Sequence, residues 1–368
     1  MSAPCYHIVL AAGGTGGHMM PADVLAAELK SRGHKVSFIT DQRGAALPGF
    51  FLDGETMTLM TRNRQGLIGR LKFYAGLVSG FFSAKRFLKQ QQPDLVIGFG
   101  GYPSAPAVMA AHSLNIPTMI HEQNAILGRT NRLVAAKAKL IALTFSGTER
   151  LPAGVPSEVT GLPVRSEIAA IAPFQQSDLA KGISILVVGG SQGARILSDI
   201  VPAAIGEIPK DILGLITVTH QARPEDVERV KAIYTSSSVK ADVDSYFTDL
   251  PQRISKSALI IARAGASTLA EITVAGRASI LVPLTTAMDD HQTANARHVP
   301  VGACFVLSEQ DFTVENLLER LTSWLNDPIE LVKAGAIARS AGRSDATQSL
   351  GDAVENLVLS QQKKEDAK

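Results

Sequence analysis

Residues 8–18 read IVLAAGGTGGH, and residues 183–195 read ISILVVGGSQGAR. Each stretch is a short apolar run followed by a cluster of glycines. This pattern predicts a buried parallel strand, a tight turn and the start of a helix. Because the pattern occurs once in each half of the chain, we expect two domains of the same kind, each built on a doubly wound parallel sheet.

Apolar runs alternate with helical patterns around both glycine loops. Runs rich in Val, Ile and Leu predict strands at 6–12, 35–40, 94–98, 116–121, 139–144, 183–188, 213–219, 258–262 and 279–282. The Pro- and Gly-rich stretch 151–165 predicts a linker. We therefore expect an α/β fold of two Rossmann-like domains facing across a cleft. We expect the N-terminal domain to span residues 1–164 and the C-terminal domain residues 165–342. A last helix is expected at about 343–360.

Composition narrows the class of protein. The chain has 368 residues, 45% of them apolar and 19% charged, with a net charge of +2. This balance gives no general case for nucleic-acid binding. Cys5 and Cys304 are too far apart in sequence to indicate a disulfide framework or a metal knuckle, so we expect a reducing, cytoplasmic environment. The sequence has no uninterrupted apolar run of 18 residues, so no membrane span is predicted.

The glycine loops predict phosphate binding. A helix N-terminus offers N–H groups and the positive end of the helix dipole, and glycines let the backbone approach a ligand closely. Neither loop has the strict G-x-G-x-x-G or G-x-x-x-x-G-K-[ST] pattern, which disfavours an NAD enzyme or a P-loop NTPase. The alternative is that the glycines only form tight turns. A third cluster, Gly98–Ser104, fits a turn followed by a helix cap equally well.

Five motifs in order resemble the MurG family: GGTGGH at 13–18, HEQN at 121–124, GLPVR at 161–165, GGSQGAR at 189–195 and DHQTANA at 290–296. Members of this family are peripheral-membrane glycosyltransferases. They add N-acetylglucosamine (GlcNAc) to undecaprenyl-pyrophosphoryl-MurNAc-pentapeptide in peptidoglycan synthesis. The resemblance covers nearly the whole chain and implies a GT-B fold, with an N-terminal domain for the lipid acceptor and a C-terminal domain for UDP-GlcNAc. It also implies that the last helix packs back on the N-terminal domain.

The resemblance implies a donor site in the C-terminal domain. The pyrophosphate of UDP-GlcNAc would lie on the second glycine loop, at Gly190, Ser191, Gln192 and Gly193. Arg165 matches an arginine that contacts the diphosphate, a role that suits a guanidinium fork. His291, Gln292 and Asn295 would lie near the GlcNAc hydroxyls.

The nucleoside would be read by three further residues. Glu271 would accept the ribose hydroxyls with Thr268 beside it, although Thr268-x-x-Glu271 also fits a capping box. The backbone of Phe247 would read the uracil. Asp289 and Asp290 precede a helical pattern, so we interpret them as helix caps and not as metal ligands. Accordingly, no metal and no cofactor is expected.

The N-terminal domain would bind the acceptor and supply the base. His18 ends the first glycine loop and is the first candidate, because imidazole titrates near neutral pH. Glu122 is the second candidate, and either residue could instead have a structural or phosphate-contacting role. The acceptor itself would contact Gly14, Thr15, Gly16, Gly17, Tyr102 and Asn124, and Gln123 would help to orient it.

Residues 62–89 carry seven basic and no acidic side chains, interleaved with Leu and Phe. By itself this pattern is typical of a core helix with a solvated basic face. Because a polyprenyl substrate stays in the membrane, the resemblance favours an amphipathic helix on an anionic phospholipid surface. The expected location is the cytoplasmic face of the bacterial inner membrane. The alternatives are a transferase for a soluble acceptor, a UDP-GlcNAc epimerase, or a non-catalytic nucleotide-sugar binding module.

Overall fold

The computed structural model describes residues 5–14, 16–46, 54–60, 66–190 and 193–366. The chain forms two compact units. The N-terminal unit consists of Met1–Val164 and Asp345–Lys368, and the C-terminal unit consists of Arg165–Ser344.

The N-terminal unit is built on one parallel sheet. Its strands are β1 (His7–Ala11), β2 (Lys35–Asp41), β3 (Thr56–Leu59), β4 (Leu95–Gly98), β5 (Thr118–Glu122), β6 (Leu140–Leu143) and β7 (Ser157–Val159). Its helices are α1 (Gly16–Ser31), α2 (Gln42–Ala45), α3 (Gly66–Gln91), α4 (Ser104–Ser113) and α5 (Arg129–Val134). The order β3-β2-β1-β4-β5-β6-β7 places β1 inside the sheet, where Ile8, Val9 and Leu10 are fully buried.

The C-terminal unit repeats this architecture. Its strands are β8 (Ile183–Val188), β9 (Ile216–Gln221), β10 (Lys240–Asp244), β11 (Leu259–Ala262), β12 (Ala278–Leu281) and β13 (Cys304–Val306). Its helices are α6 (Ser166–Ala169), α7 (Arg195–Gly206), α8 (Lys210–Leu213), α9 (Val227–Ser236), α10 (Leu250–Lys256), α11 (Ala266–Ala275), α12 (His291–Ala296), α13 (Val314–Asn326) and α14 (Ile329–Ala341). The parallel sheet has the order β10-β9-β8-β11-β12-β13.

The last helix, α15 (Ala346–Asp366), belongs to the N-terminal unit. Leu350 and Val354 are buried in the same core as β1 and α1. Arg32, at the end of α1, donates to the carboxylates of Asp352 and Glu355 at 2.6 and 3.0 Å. Apolar packing and ion pairs thus hold the end of the chain on the N-terminal unit.

Strand order reverses at the same point in both sheets, between β1 and β4 and between β8 and β11. This arrangement confirms the prediction of two Rossmann-like units. The carboxyl ends of strands beside such a reversal are where open α/β sheets bind ligands. Both glycine loops start there, because they follow β1 and β8. Within the described ranges, no helix is long and apolar enough to cross a membrane.

The strands that the apolar runs did not predict are the sheet edges: β3, β7, β10 and β13. They are short, and most of their residues are at least partly exposed. A strand covered less completely needs no continuous apolar run, so the pattern that revealed the inner strands is missing. β7 lies inside the stretch 151–165, so part of the predicted linker is a strand.

Candidate functional site

Two glycine-rich loops of the N-terminal unit pack directly against each other at the strand reversal. A Cβ atom on Gly13 would lie 2.5 Å from Pro103, and one on Gly101 would lie 2.3 Å from the carbonyl oxygen of Gly13. Gly101 also has φ +75°, which favours glycine. The half-buried Tyr102 lies in the same β4–α4 loop. The third glycine cluster therefore permits a close approach of two loops, which the sequence did not indicate.

Asp41, at the end of β2, holds the first glycine loop. Its buried carboxylate accepts a hydrogen bond from the backbone N–H of Gly14 at 3.1 Å and also caps α2. After this point α1 begins with Gly16 and Gly17, so the N-terminus of a 16-residue helix lies at the loop. Such an end suits a phosphate group. Thr15 lies outside the described residues.

His18 lies in the first turn of α1 and is connected to a buried polar chain. Its Nδ1 is 3.0 Å from Oε1 of Gln123, and Nε2 of Gln123 is 3.1 Å from Nδ1 of His121. On the far side, Nε2 of His121 is 3.1 Å from the carbonyl oxygen of Gly161. Burial lowers the pKa of His121 to about 4, so this imidazole is neutral at neutral pH. His18 itself is half-buried.

Glu122, the other candidate base, is buried and organises its own loop. One carboxylate oxygen accepts from the backbone and side-chain N–H groups of Asn124, at 3.0 and 3.2 Å. The other accepts from the backbone N–H of Gly128 at 2.9 Å and from the Asn131 amide at 2.8 Å. Because four donors already engage this carboxylate, the geometry favours His18 as the base.

The second glycine loop has the same backbone design. Gly190 and Gly193 have φ values of +84° and +69°, and the N–H of Gly193 donates to the carbonyl of Gly190 at 3.0 Å. A Cβ atom on Gly189 would lie 2.3 Å from the backbone nitrogen of Ala194, so this turn requires glycine. α7 begins directly after the loop. Ser191 and Gln192, predicted to contact the donor, lie outside the described residues.

Arg165 and Glu271, predicted to bind different parts of the donor, are paired with each other. The guanidinium of Arg165 donates to Glu271 at 2.8 Å. The buried Nε of Arg165 has no hydrogen-bond partner among the described residues. Burial raises the pKa of the Glu271 carboxyl, against the opposing effect of Arg165. The structure thus places the two predicted nucleotide contacts side by side.

The capping-box alternative for Thr268 and Glu271 is wrong. α11 begins at Ala266 with Gly265 as the capping residue, so Thr268 lies within the helix and Glu271 one turn further along. Phe247, after β10, is almost fully buried, and the guanidinium of Arg253 lies 3.9 Å from its ring centroid. The Phe247 side chain therefore serves packing, which leaves its backbone as the candidate contact.

Asp289 and Asp290 precede α12, and Asp290 is its capping residue, but the Asp290 side chain makes no capping hydrogen bond. Both have left-handed backbone conformations, with φ of +58° and +53°. The Asp290 carboxylate instead accepts from the Thr293 hydroxyl at 2.7 Å. Asn295 is fully buried and donates to the carbonyl of Ala264 at 3.2 Å, so here it supports the loop after β11.

The neighbouring polar residues of α12 are less buried. His291 and Gln292 are partly exposed. Nδ1 of His291 lies 2.8 Å from the carbonyl of Met288, and Oε1 of Gln292 accepts from the backbone N–H of Leu284 at 3.0 Å. Among the residues that the structure describes, no group of three or more His, Cys, Asp or Glu side chains could hold a metal ion.

Comparison with known proteins identifies the family. The glycosyltransferase family 28 N-terminal domain matches residues 8–143, and the family 28 C-terminal domain matches residues 184–350. A Paramagnetospirillum magneticum protein is 44% identical over 95% of this chain and 96% of its own length. It is named UDP-N-acetylglucosamine--N-acetylmuramyl-(pentapeptide) pyrophosphoryl-undecaprenol N-acetylglucosamine transferase. A Rhodospirillum centenum protein of the same name is 44% identical over 94% of this chain and 93% of its own length. The chain belongs to the MurG family.

Solved structures agree with this assignment. The crystal structure of Acinetobacter baumannii MurG is 30% identical and superposes with a TM-score of 0.75, covering 96% of this chain and 100% of that one. A Neisseria meningitidis UDP-GlcNAc 2-epimerase has a TM-score of 0.66 at 15% identity, over 95% of this chain and 100% of its own. That second likeness shows a shared fold alone.

Several residues around the MurG-family motifs were missed by sequence reasoning. Asp41 is a polar residue that ends a buried strand beside β1, and this position was a usable signal. Arg263, at the end of β11, donates to the carbonyls of Val282 and Pro283 at 3.1 and 3.3 Å and to Glu309 at 2.6 Å. Since Glu309 is distant in sequence, no local pattern could reveal that pair.

Proposed function

We propose that this MurG-family enzyme transfers GlcNAc from UDP-GlcNAc to the 4-hydroxyl of MurNAc in undecaprenyl-pyrophosphoryl-MurNAc-pentapeptide, with inversion. The product is the complete lipid-linked disaccharide precursor of peptidoglycan. The observation that carries the chemistry is the imidazole of His18, held by Gln123 beside a glycine loop that suits the acceptor pyrophosphate. His18 takes the proton of the attacking hydroxyl.

The C-terminal unit binds the donor. The second glycine loop and the N-terminus of α7 receive the pyrophosphate, Arg165 neutralises it, and Glu271 accepts the ribose hydroxyls. His291 and Gln292, on α12, form hydrogen bonds with the hydroxyls of the GlcNAc. Negative charge that develops on the departing UDP is stabilised by the backbone N–H groups and the helix dipole at the N-terminus of α7, so we propose that the reaction needs no metal ion.

The outward face of α3 contacts the membrane, at the cytoplasmic side of the bacterial inner membrane. Over the described side chains 75–91, Val78 and Phe82 are 57% and 63% exposed, on a face that also bears the exposed Arg86 and Lys89. Ala84 and Leu88 on the opposite face are fully buried. Apolar side chains between basic ones suit an anionic lipid surface. Residues 62–74 also belong to the predicted basic surface, but the structure does not describe their side chains.

The test is a transfer assay with the purified chain. UDP-GlcNAc labelled in the sugar is incubated with a short-chain polyprenyl-pyrophosphoryl-MurNAc-pentapeptide in the presence of EDTA. We expect the label to move to the lipid, and His18→Ala to abolish most of the transfer. Intact UDP binding without transfer would contradict the proposed acceptor. Transfer that EDTA abolishes and Mg²⁺ restores would contradict the metal-independent mechanism.

A further inference from the structure

The buried chain behind His18 determines where its protons lie. The carbonyl oxygen of Gly161 can only accept a hydrogen bond, so Nε2 of His121 must carry a proton to reach it at 3.1 Å. His121 is fully buried, and no carboxylate of a described residue bonds to its ring, which favours the neutral form. A neutral imidazole has one N–H, so Nδ1 of His121 presents a lone pair.

The lone pair on His121 fixes the orientation of Gln123. The Gln123 amide nitrogen lies 3.1 Å from Nδ1 of His121 and 3.2 Å from the backbone carbonyl of the same residue, and both positions accept. The reversed amide would place an oxygen against two acceptors. Gln123 therefore directs its NH₂ group to His121 and its Oε1 to His18, 3.0 Å away. Because Oε1 only accepts, Nδ1 of His18 must donate.

We propose that Gln123 and His121 are positioning residues that hold His18 in the Nδ1–H form, so that Nε2 carries the lone pair of the general base. The inference rests on the proposed transferase function. In the reaction, Nε2 takes the proton of the MurNAc hydroxyl while that oxygen bonds to the anomeric carbon. The bond from this carbon to UDP breaks, and its electron pair leaves on the UDP phosphate. The His18 imidazolium keeps its Nδ1–H bond to Gln123 throughout.

The surroundings keep this chain in place. A Cβ atom on Gly100 would lie 3.2–3.3 Å from the His18 ring, so the β4–α4 loop lies directly against the imidazole. Asn131, only 2% exposed, donates to the backbone carbonyl of His121 and to Glu122, at 3.3 and 2.8 Å. The Phe99 ring lies 5.3 Å from that of His121. Because both neighbours of Gln123 are held in place, neither ring can shift to offer a reversed amide new hydrogen-bond partners.

The direct test is the tautomer of His18, read by long-range ¹H–¹⁵N NMR on the full chain labelled at histidine. His18→Asn identifies the His18 signals by their loss. At a pH where both imidazoles are neutral, we expect a protonated Nδ1 and a bare Nε2 for His18, and the opposite pattern for His121. A His18 ring protonated at Nε2 would overturn the proposal. This measurement needs neither turnover nor a substituted amide.

The second test removes the amide with Gln123→Met, which is close in size. The single-tautomer pattern of His18 should be lost and kcat should fall about tenfold to a hundredfold, while KM for UDP-GlcNAc stays within about twofold. The matched control is Gln252→Met, at an exposed site of α10 in the C-terminal unit. Unchanged tautomer and unchanged kcat in Gln123→Met would overturn the proposal. A wild-type enzyme with the expected tautomer and no transfer would instead contradict the proposed function.

Discussion

The two glycine loops have the same backbone design and different side chains around them. Each follows the inner strand at the reversal of its sheet and leads into a helix. Around the first loop lie His18 and the neutral polar chain of Gln123 and His121. In the unit of the second loop, Arg165 pairs with Glu271 at 2.8 Å, and Glu271 lies on α11, which follows β11, the strand beside β8. The first surroundings suit proton transfer, and the second suit recognition of a charged nucleotide.

This difference shows where the function of a repeated fold resides. The sheets supply the same strand ends and helix termini, and the side chains that follow other strands decide what each loop does. If the difference is functional, substitutions in the N-terminal unit should change kcat and those in the C-terminal unit should change donor affinity. Three predictions test that separation, and one tests the buried histidine that each unit contains.

The largest effect is expected for His18→Ala. General base catalysis contributes about 10²–10⁴-fold, so kcat should fall by about that factor. Because His18 is in the N-terminal unit, the Kd of UDP measured by calorimetry should not change. The matched control is His112→Ala, since His112 lies on α4 of the same unit and bonds to Thr118. A loss of UDP affinity in His18→Ala comparable to the loss of kcat would break the proposed separation.

The next effect is a loss of stability in acid, which we expect because each unit contains a buried histidine. Burial lowers the pKa of His121 to about 4 and that of His220 to about 3, from an ordinary value of 6.5. Below pH 6.5 the unfolded chain binds protons that the native state does not, so the free energy of unfolding falls with falling pH. At pH 5 each buried histidine should lower the free energy of unfolding by about 2 kcal/mol relative to neutral pH. This free energy should continue to fall until the pH reaches the pKa of that histidine in the native state.

Urea titrations at pH 7 and pH 5 measure this loss. His220 bonds to Tyr234 through Nδ1, and its buried Nε2 has no partner among the described residues, whereas both nitrogens of His121 are bonded. His220→Phe should therefore weaken the pH dependence in the C-terminal unit and leave that of the N-terminal unit in place. An unchanged pH dependence in His220→Phe would contradict the burial argument.

The sequence predicted the inner strands because each is a largely apolar run, and it predicted both glycine loops because glycines follow the runs of β1 and β8. It also singled out His18, Arg165 and Glu271, which the structure places in the first turn of α1, directly before α6 and within α11. The edge strands were missed, since β7 and β10 expose most of their residues and carry no apolar run. Local pattern reveals an element only where burial on both faces demands it.

The polar contacts of the site were beyond sequence reasoning for a different reason. The bond between His18 and Gln123 joins residues 105 positions apart, and that between Arg165 and Glu271 joins residues 106 apart. The motif HEQN suggested a base and orienting amides, but it could not show that Glu122 is engaged by four donors while Gln123 reaches His18. β4 pairs with both β1 and β5, and this brings His18, after β1, near Gln123, after β5.

A smaller effect is expected from substitution of Arg165, the basic residue proposed to bind the pyrophosphate of the donor. Hydrogen bonds to charged groups contribute about 1.5–3 kcal/mol, so Arg165→Ala should weaken UDP binding about tenfold to a hundredfold. Arg165→Lys should restore little of this, because an ammonium group lacks the planar fork. Calorimetry with UDP gives the Kd, and kcat at saturating UDP-GlcNAc should change less than threefold. A kcat loss without an affinity loss would assign Arg165 to the chemical step instead.

The smallest effect comes from equivalent glycines in the two loops, Gly14 and Gly190. Their φ values of +86° and +84° are nearly equal. Among the described residues, an added Cβ atom would meet nothing within 4 Å at Gly190 and only Arg43, at 3.6 Å, at Gly14. Each substitution by Ala should therefore cost a similar 1–2 kcal/mol or so of unfolding free energy, from backbone strain alone. The functional consequences should differ: Gly14→Ala should raise KM for the lipid acceptor, and Gly190→Ala should raise KM for UDP-GlcNAc. If both variants raised the same KM, the two loops would share one substrate, and the assignment of one unit to each substrate would be wrong.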